Sequence, residues 1–516
     1  MDYAKIALEE YMDEEKSPHF GGRNGKPYWD INAPQCIYNP AFVFPKIIGA
    51  KEYRYTVTDC NGNEYVFMAD KPTAYLTPVW NKLPTGMVTI KVEAQDERKN
   101  EYYLSGIRRI FKGDFFPGRD NLPKRACSYR ECATKALSFV FNEPKVQSWL
   151  TDGEPSRELP VFYFVSKIVG GVVNGMIDYA KLSPENSEKA LQIAKIGADF
   201  LIKYSYGTDT AIPGIPRTYM YESNEINEGD SIPEQRKFMV MNIYPAMTGE
   251  LYLDLAEITG ESKYLDAALV IADFYKKTVC PNGSWPLLIS AKTGEPQSDK
   301  YCVSFAISRF LRAVAKTTGE ECWLELDKNY FEYIKEFSFK NYDWQAQFED
   351  SEESTNYSNM SHFPANDMIS YLANNCAKDK NKITEAEMLM RFVEDQFVVW
   401  GEFAPYISIN TPKNADCWYS PAGLEQYNWY VPIDSSTATI LSTFLTLHKA
   451  NKDPLLLEKA CALADSITRM QNFETGMIPT HWIFKDCMAE MNGWFWFNCH
   501  LITARAMMNL ADFLGE

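Results

Sequence analysis

The sequence is short of the residues that announce metal and cofactor chemistry. Its five histidines, His19, His362, His448, His481 and His500, show no H-E-x-x-H or similar ligand spacing. The 12 cysteines include no C-x-x-C pair, and no EF-hand loop occurs. No G-x-G-x-x-G follows a strand, and there is neither a P-loop nor a G-x-S-x-G elbow. No metal and no other cofactor is therefore expected. No Lys/Arg block interrupts a formal net charge of −17, from 52 basic and 69 acidic residues, so a phosphate-tracking surface and nucleic-acid binding are excluded. No apolar run is long enough to cross a bilayer, and Met1 to Lys5 open no signal-like apolar stretch. Scattered cysteines such as Cys127, Cys302, Cys376 and Cys461 suit reduced thiols. A cytoplasmic protein without membrane attachment is the expectation.

What the sequence has in quantity is aromatic residues: 12 Trp, 31 Tyr and 30 Phe, 14% of the chain. Thick helical packing uses such residues, and so does stacking on sugar rings. The length of 516 residues suggests two domains. Residues 1–120 read as strands and turns. Tyr53–Thr58 alternates, Asp59-Cys60-Asn61-Gly62 turns, Glu64–Met68 returns, and Met87–Ala94 adds a further strand. A small antiparallel β-sandwich of immunoglobulin or fibronectin size is expected there, with a linker near 115–123.

From about residue 125 to 516 the period becomes helical. Helices are expected near 126–141, 161–181, 186–203, 239–259, 262–277, 300–317, 323–337, 364–377, 383–396, 433–450, 454–470 and 495–514. Short links, such as Thr259-Gly260-Glu261-Ser262 and Asn451-Lys452-Asp453-Pro454, alternate with links of about 20 to 35 residues. Short links make hairpins, and six hairpins side by side close into a mainly α, two-layered (α/α)6 toroid with all long loops on one rim. The glycines of Val169-Gly170-Gly171-Val172-Val173-Asn174-Gly175 read as close helix packing.

Hairpin periodicity, the turns Asn282-Gly283-Ser284-Trp285-Pro286 and Thr475-Gly476-Met477-Ile478-Pro479-Thr480-His481-Trp482, and aromatic loops together resemble the six-hairpin glycosidase superfamily. The resemblance covers about three quarters of the chain. With an N-terminal β-sandwich, it is similar to bacterial uronic-acid-directed hydrolases, of β-glucuronidase or unsaturated-glucuronyl-hydrolase type, and to polysaccharide lyases. It implies a carbohydrate substrate, and inner helices that follow the long loops.

Glycoside cleavage needs two carboxyl groups flanking one bond. The long-loop rim and the first turns of the inner helices offer Glu425, Asp367, Asp299 and Asp434 as catalytic candidates. Capping and helix-dipole roles are open for Asp367, Asp434 and Asp299. Glu425 has no such role, and it stands beside Tyr427, Trp429 and Tyr430; it is expected in the cleft, opposite Asp367 or Asp299. Substrate contacts are expected from Glu222, Arg217, His362, His481, Tyr427, Trp429, Tyr430, Trp285 and Trp482. The tryptophans are equally readable as lids over the core, and Arg217 as a fork for a sugar carboxylate. Three alternatives to a hydrolase remain open: a lyase abstracting the proton alpha to a uronate carboxylate, an epimerase, or a non-catalytic glycan-binding protein.

Overall fold

The computed structural model describes residues 1–18, 32–96, 101–220, 236, 238–349, 357–401, 417–487 and 495–516. Among the described residues the N-terminal part has seven strands: β1 (Gln35–Cys36), β2 (Ala41–Val43), β3 (Tyr53–Thr58), β4 (Glu64–Ala69), β5 (Thr73–Tyr75), β6 (Gly86–Asp96) and β7 (Glu101–Lys112). The expected hairpin forms, with Tyr53 opposite Ala69, Thr58 opposite Glu64, and Gly62 at φ +83° in the turn. Strand order in the main sheet is β1-β7-β6-β3-β4, and only β1, beside β7, pairs parallel. Alternation puts Tyr53, Tyr55 and Val57 inside, with Val88, Ile90 and Val92 of β6.

The second layer is thinner than a sandwich requires. It consists of the β2–β5 ladder, three residue pairs long, which brings Phe42 and Phe44 against the sheet. The Phe44 ring meets Tyr55 edge-on at 6.1 Å, and the Arg108 guanidinium lies 5.8 Å from the Phe42 ring. The opposite sheet face stays open, exposing Val66, Met68, Leu104 and Ile107.

An N-terminal helix, Tyr3–Met12, ties this part to the rest through a buried polar knot. Glu394 accepts hydrogen bonds from the Tyr11 hydroxyl, from Lys459 Nζ at 2.7 Å and from Trp400 Nε1 at 3.0 Å. Next to it, Asp395 accepts the backbone N–H groups of Ile37 and Tyr38, both at 2.7 Å. Complete burial pushes the Asp395 carboxyl up to about 7 despite those bonds.

Among the described residues, twelve helices then form the ring. The outer layer is α1 (Tyr129–Asn142), α3 (Ser187–Lys203), α5 (Ser262–Thr278), α7 (Cys322–Ile334), α9 (Lys380–Phe397) and α11 (Pro454–Met470). The inner layer is α2 (Val165–Leu182), α4 (Tyr244–Thr259), α6 (Ala306–Thr318), α8 (His362–Asn375), α10 (Asp434–Asn451) and α12 (Phe497–Leu514). Each inner helix packs on the outer helix that follows it, and α12 packs on α1 to close the circle. Around the axis, α2 touches α4, α4 touches α6, and α8, α10, α12 and α2 follow in turn. The α6–α8 step is carried by side chains, with Phe305 and Tyr371 rings 5.0 Å apart.

Local chemistry sets the short ends of the hairpins. Gly260 and Gly319 stop α4 and α6 in the left-handed conformation, at φ +71° and +75°, returning their N–H groups to Ala256 and Ala315 carbonyls. The glycines of α2 do serve close packing. A Cβ at Gly175 would stand 2.4 Å from Leu501 of α12, and one at Gly171 3.3 Å from Asn498 Cα. Most of the aromatic surplus is core: Trp149, Trp285, Trp344, Trp400 and Trp482 are fully buried. Among the described residues no helix is long and apolar enough to cross a membrane.

Candidate active site

A cavity of about 770 Å³ runs along the ring axis, and all six inner helices line it. Its size falls within the range of small-ligand sites. Among the described residues, every one that lines it belongs to the helical part, from Ser166 onward.

At the mouth stands a short hairpin, Ala422–Gln426 paired with Trp429–Pro432. It is seated on the start of α10, where Thr437 Oγ1 accepts the Gly423 N–H at 2.8 Å and the Gly423 carbonyl accepts the Ile433 N–H at 3.0 Å. The Glu425 carbonyl also accepts the Ser361 hydroxyl at 3.1 Å, so Glu425 is fixed between α8 and α10. Glu425 and Trp429 face the cavity. His481 stands edge-on to two indoles, Trp429 at 5.9 Å and Trp496 at 6.0 Å, forming an aromatic wall. Lys167 Nζ lies 4.9 Å from the Trp496 ring centre and 2.5 Å from Glu349 Oε1. Glu349 is fully buried, accepts the Tyr244 hydroxyl, and offers its carbonyl to the Tyr219 hydroxyl at 2.8 Å.

One turn deeper, Asp367 of α8 bonds Arg309 Nη1 of α6 at 3.0 Å, while Arg309 Nε lies 3.4 Å from Glu250 of α4. Burial within the ring raises the Glu250 carboxyl above the usual range, and Arg309 opposes that rise. Behind the wall, Asp434 is fully buried and accepts the Ser435 N–H at 2.7 Å. Burial drives its carboxyl well above the usual range, and the nearby Glu425 charge adds to that push.

Of the sequence candidates, the structure brings Glu425, Asp367, Trp429 and His481 together in one cavity. Asp434 lies just behind it. The others are elsewhere. Asp299 is exposed in a bend before α6. Tyr427 and Tyr430 are buried against α9, their hydroxyls bonded to the side chain and carbonyl of Gln396. Trp285 and Trp482 are core residues whose indole N–H groups go to the Tyr275 and Pro479 carbonyls, both at 2.9 Å. Arg217 donates Nε to the Tyr204 carbonyl at 2.8 Å and lies over Tyr206, away from the cavity. His362 is fully buried, its Nδ1 2.8 Å from the Asn366 amide, and burial pushes its pKa down to about 3. Glu222 lies outside the described residues.

Sequence reading missed Arg309, Lys167, Glu349, Trp496, Asn366 and Asn498. Lys167 and Arg309 carry one usable signal, a cation within an inner helix near its start. Among the described residues, no group of three or more His, Cys, Asp or Glu is placed to hold a metal.

No family model and no curated protein matches the sequence. Solved structures similar to this chain include a family 76 glycoside hydrolase from a bovine Bacteroides thetaiotaomicron strain, at 10% identity over 92% of this chain and 96% of that one, with a TM-score of 0.48. A second is an unsaturated glucuronyl hydrolase specific for heparin, at 12% identity over 75% and 98%, also with a TM-score of 0.48. A third is the cellobiose 2-epimerase from Spirochaeta thermophila, at 11% identity over 68% and 87%, TM-score 0.48.

Proposed function

We propose that this protein is a glycoside hydrolase acting on a glycan or oligosaccharide held in the axial cavity. The observation that carries this reading is the convergence of Glu425 and Asp367 on one cavity from two different elements and in unlike surroundings. Paired carboxyls with different environments are what acid-assisted departure and activation of water demand. Glu425, the cavity-facing acid of the mouth hairpin, delivers a proton to the leaving oxygen. Asp367, facing the Arg309 guanidinium, is the carboxylate that activates water or attacks the anomeric carbon. The indoles of Trp429 and Trp496 offer apolar surfaces to a sugar ring.

Arg217, the side chain expected to neutralise a uronate carboxylate in a lyase, is bound to the Tyr204 carbonyl and lies away from the cavity. The 12 free thiols, with no disulfide among them, suit a reducing compartment such as the cytoplasm.

The test is reducing-sugar release from a panel of oligosaccharides and aryl glycosides, by the wild type and by Glu425→Gln and Asp367→Asn. Each variant should lose roughly 10²-fold or more in kcat with its melting temperature kept. Near-normal turnover by both variants, or products carrying a new ring double bond, overturns the assignment.

A further inference from the structure

The cavity does not stop at its acids. Asp367 belongs to the second turn of α8, whereas Ser442 and Arg505, in the third turns of α10 and α12, and Asn509, in the fourth turn of α12, still line the space. The walls therefore continue about 5–10 Å beyond the carboxylate along the axis, taking the helical rise per residue. A substrate lying across the mouth, as a chain cut in its middle would lie, leaves that inner end unfilled.

The inner end is also already balanced in charge. Arg309 is answered by both Asp367 and Glu250, and Arg505 Nε by Asp178 at 2.5 Å. Among the described residues no cation there is left over for an anionic sugar substituent.

On the hydrolase reading above, we infer that the glycan enters end-on and that an uncharged terminal sugar occupies the inner end, so that the enzyme removes units from a chain terminus. The rest of the chain leaves past Trp429 and Trp496. Water adds across the bond between the terminal unit and its neighbour: the C–O bond breaks, the neighbour's oxygen takes the proton from Glu425, and the water oxygen bonds the anomeric carbon as Asp367 takes its proton.

The wild-type enzyme should be given end-labelled neutral hexose oligosaccharides of four to six units and counterparts ending in a uronate. Early products should be a single short terminal fragment and a chain shortened by it, and uronate-ended chains should react at least tenfold more slowly. Ser442→Phe, which fills the inner end, should lose at least 10²-fold in kcat/KM with its melting temperature kept. Hydrolysis that begins at internal bonds, or equal rates on uronate-ended chains, overturns the inference while leaving the hydrolase reading intact. Full activity in Ser442→Phe also overturns it. Absence of hydrolysis on every chain removes the hydrolase reading, and this inference with it.

Discussion

Arg309 of α6 bonds Asp367 of α8 at 3.0 Å and reaches back toward Glu250 of α4, so one planar side chain spans three consecutive inner helices. The α6–α8 step has the sparsest backbone contact in the inner ring, and this ion pair crosses it. Arg309→Met should therefore lower kcat by about tenfold or more, as Asp367 loses its fixed position. Arg309→Lys should recover little of that loss, because an ammonium on a flexible stem does not reproduce a fork held between two carboxylates. Steady-state kinetics with the reactive oligosaccharide measure both.

Trp496→Ala should act on binding more than on chemistry. Its indole forms the mouth with His481 and Trp429 and stands at a distance from Asp367's bond to Arg309. The expected result is a rise in KM of about tenfold, near 1.4 kcal/mol, with kcat within a few-fold of wild type. A collapse of kcat at unchanged KM would place Trp496 in the chemical step instead.

The knot between the N-terminal helix and the ring predicts a stability effect without a primary effect on the chemistry. Lys459 and Glu394 are 1% and 2% exposed and bond at 2.7 Å. Lys459→Met removes one partner and leaves a buried carboxylate among tyrosine hydroxyls and an indole, which should cost about 3–5 kcal/mol. Adding Glu394→Gln should return part of that loss, because the uncompensated charge goes with it. Denaturant unfolding of the two variants decides.

Acid should weaken the fold through its buried histidines. His500 Nε2 lies 2.8 Å from the Ala136 carbonyl, and Nδ1 accepts the Ile478 N–H at 3.2 Å. Burial pushes its pKa down from 6.5 to about 4, and that of His362 to about 3. Between about pH 4 and 6.5 the unfolded chain therefore binds more protons than the folded one, so stability is full above that window and falls as pH drops through it. Asp395, Asp434 and Glu250 act in the opposite sense, their raised carboxyls favouring the folded state as pH falls toward 4. His500→Gln, which keeps an amide donor and acceptor, should flatten the acid decline in melting temperature; an unchanged slope would exclude His500 as its source.

How much of this could be read beforehand differs by element. Alternating short and long links gave away the hairpins, because a link of four residues joins only antiparallel neighbours. Glu425 and Asp367 were readable as rim acids for the same reason. Arg309 and Lys167 were not, since a charge on a helix shows its direction only when it is known which face lines the axis. Trp429 and Tyr430 are adjacent in a strand, so only one can face the cavity. The choice of Trp429 follows from the register of the hairpin on α10, a tertiary matter. Glu349 stands in a long loop whose path is set by Lys167, Tyr244 and Tyr219, three residues distant in sequence. The second layer of the N-terminal sheet was over-read, because strand signals do not reveal how short β2 and β5 would be.

One hairpin of the ring is assembled from the first ring helix and the last. Glu516 accepts the Tyr129 N–H at 2.9 Å and pairs with Arg125, while α12 supplies one whole side of the cavity. During synthesis, then, five-sixths of the ring must wait as an open arc with its axial polar groups exposed. The axial cavity closes only when Phe497–Leu514 has been made and has swung across to meet Tyr129–Asn142, made long before it. A chain cut short before α12 would have most of the residues that line the cavity and none of its enclosure.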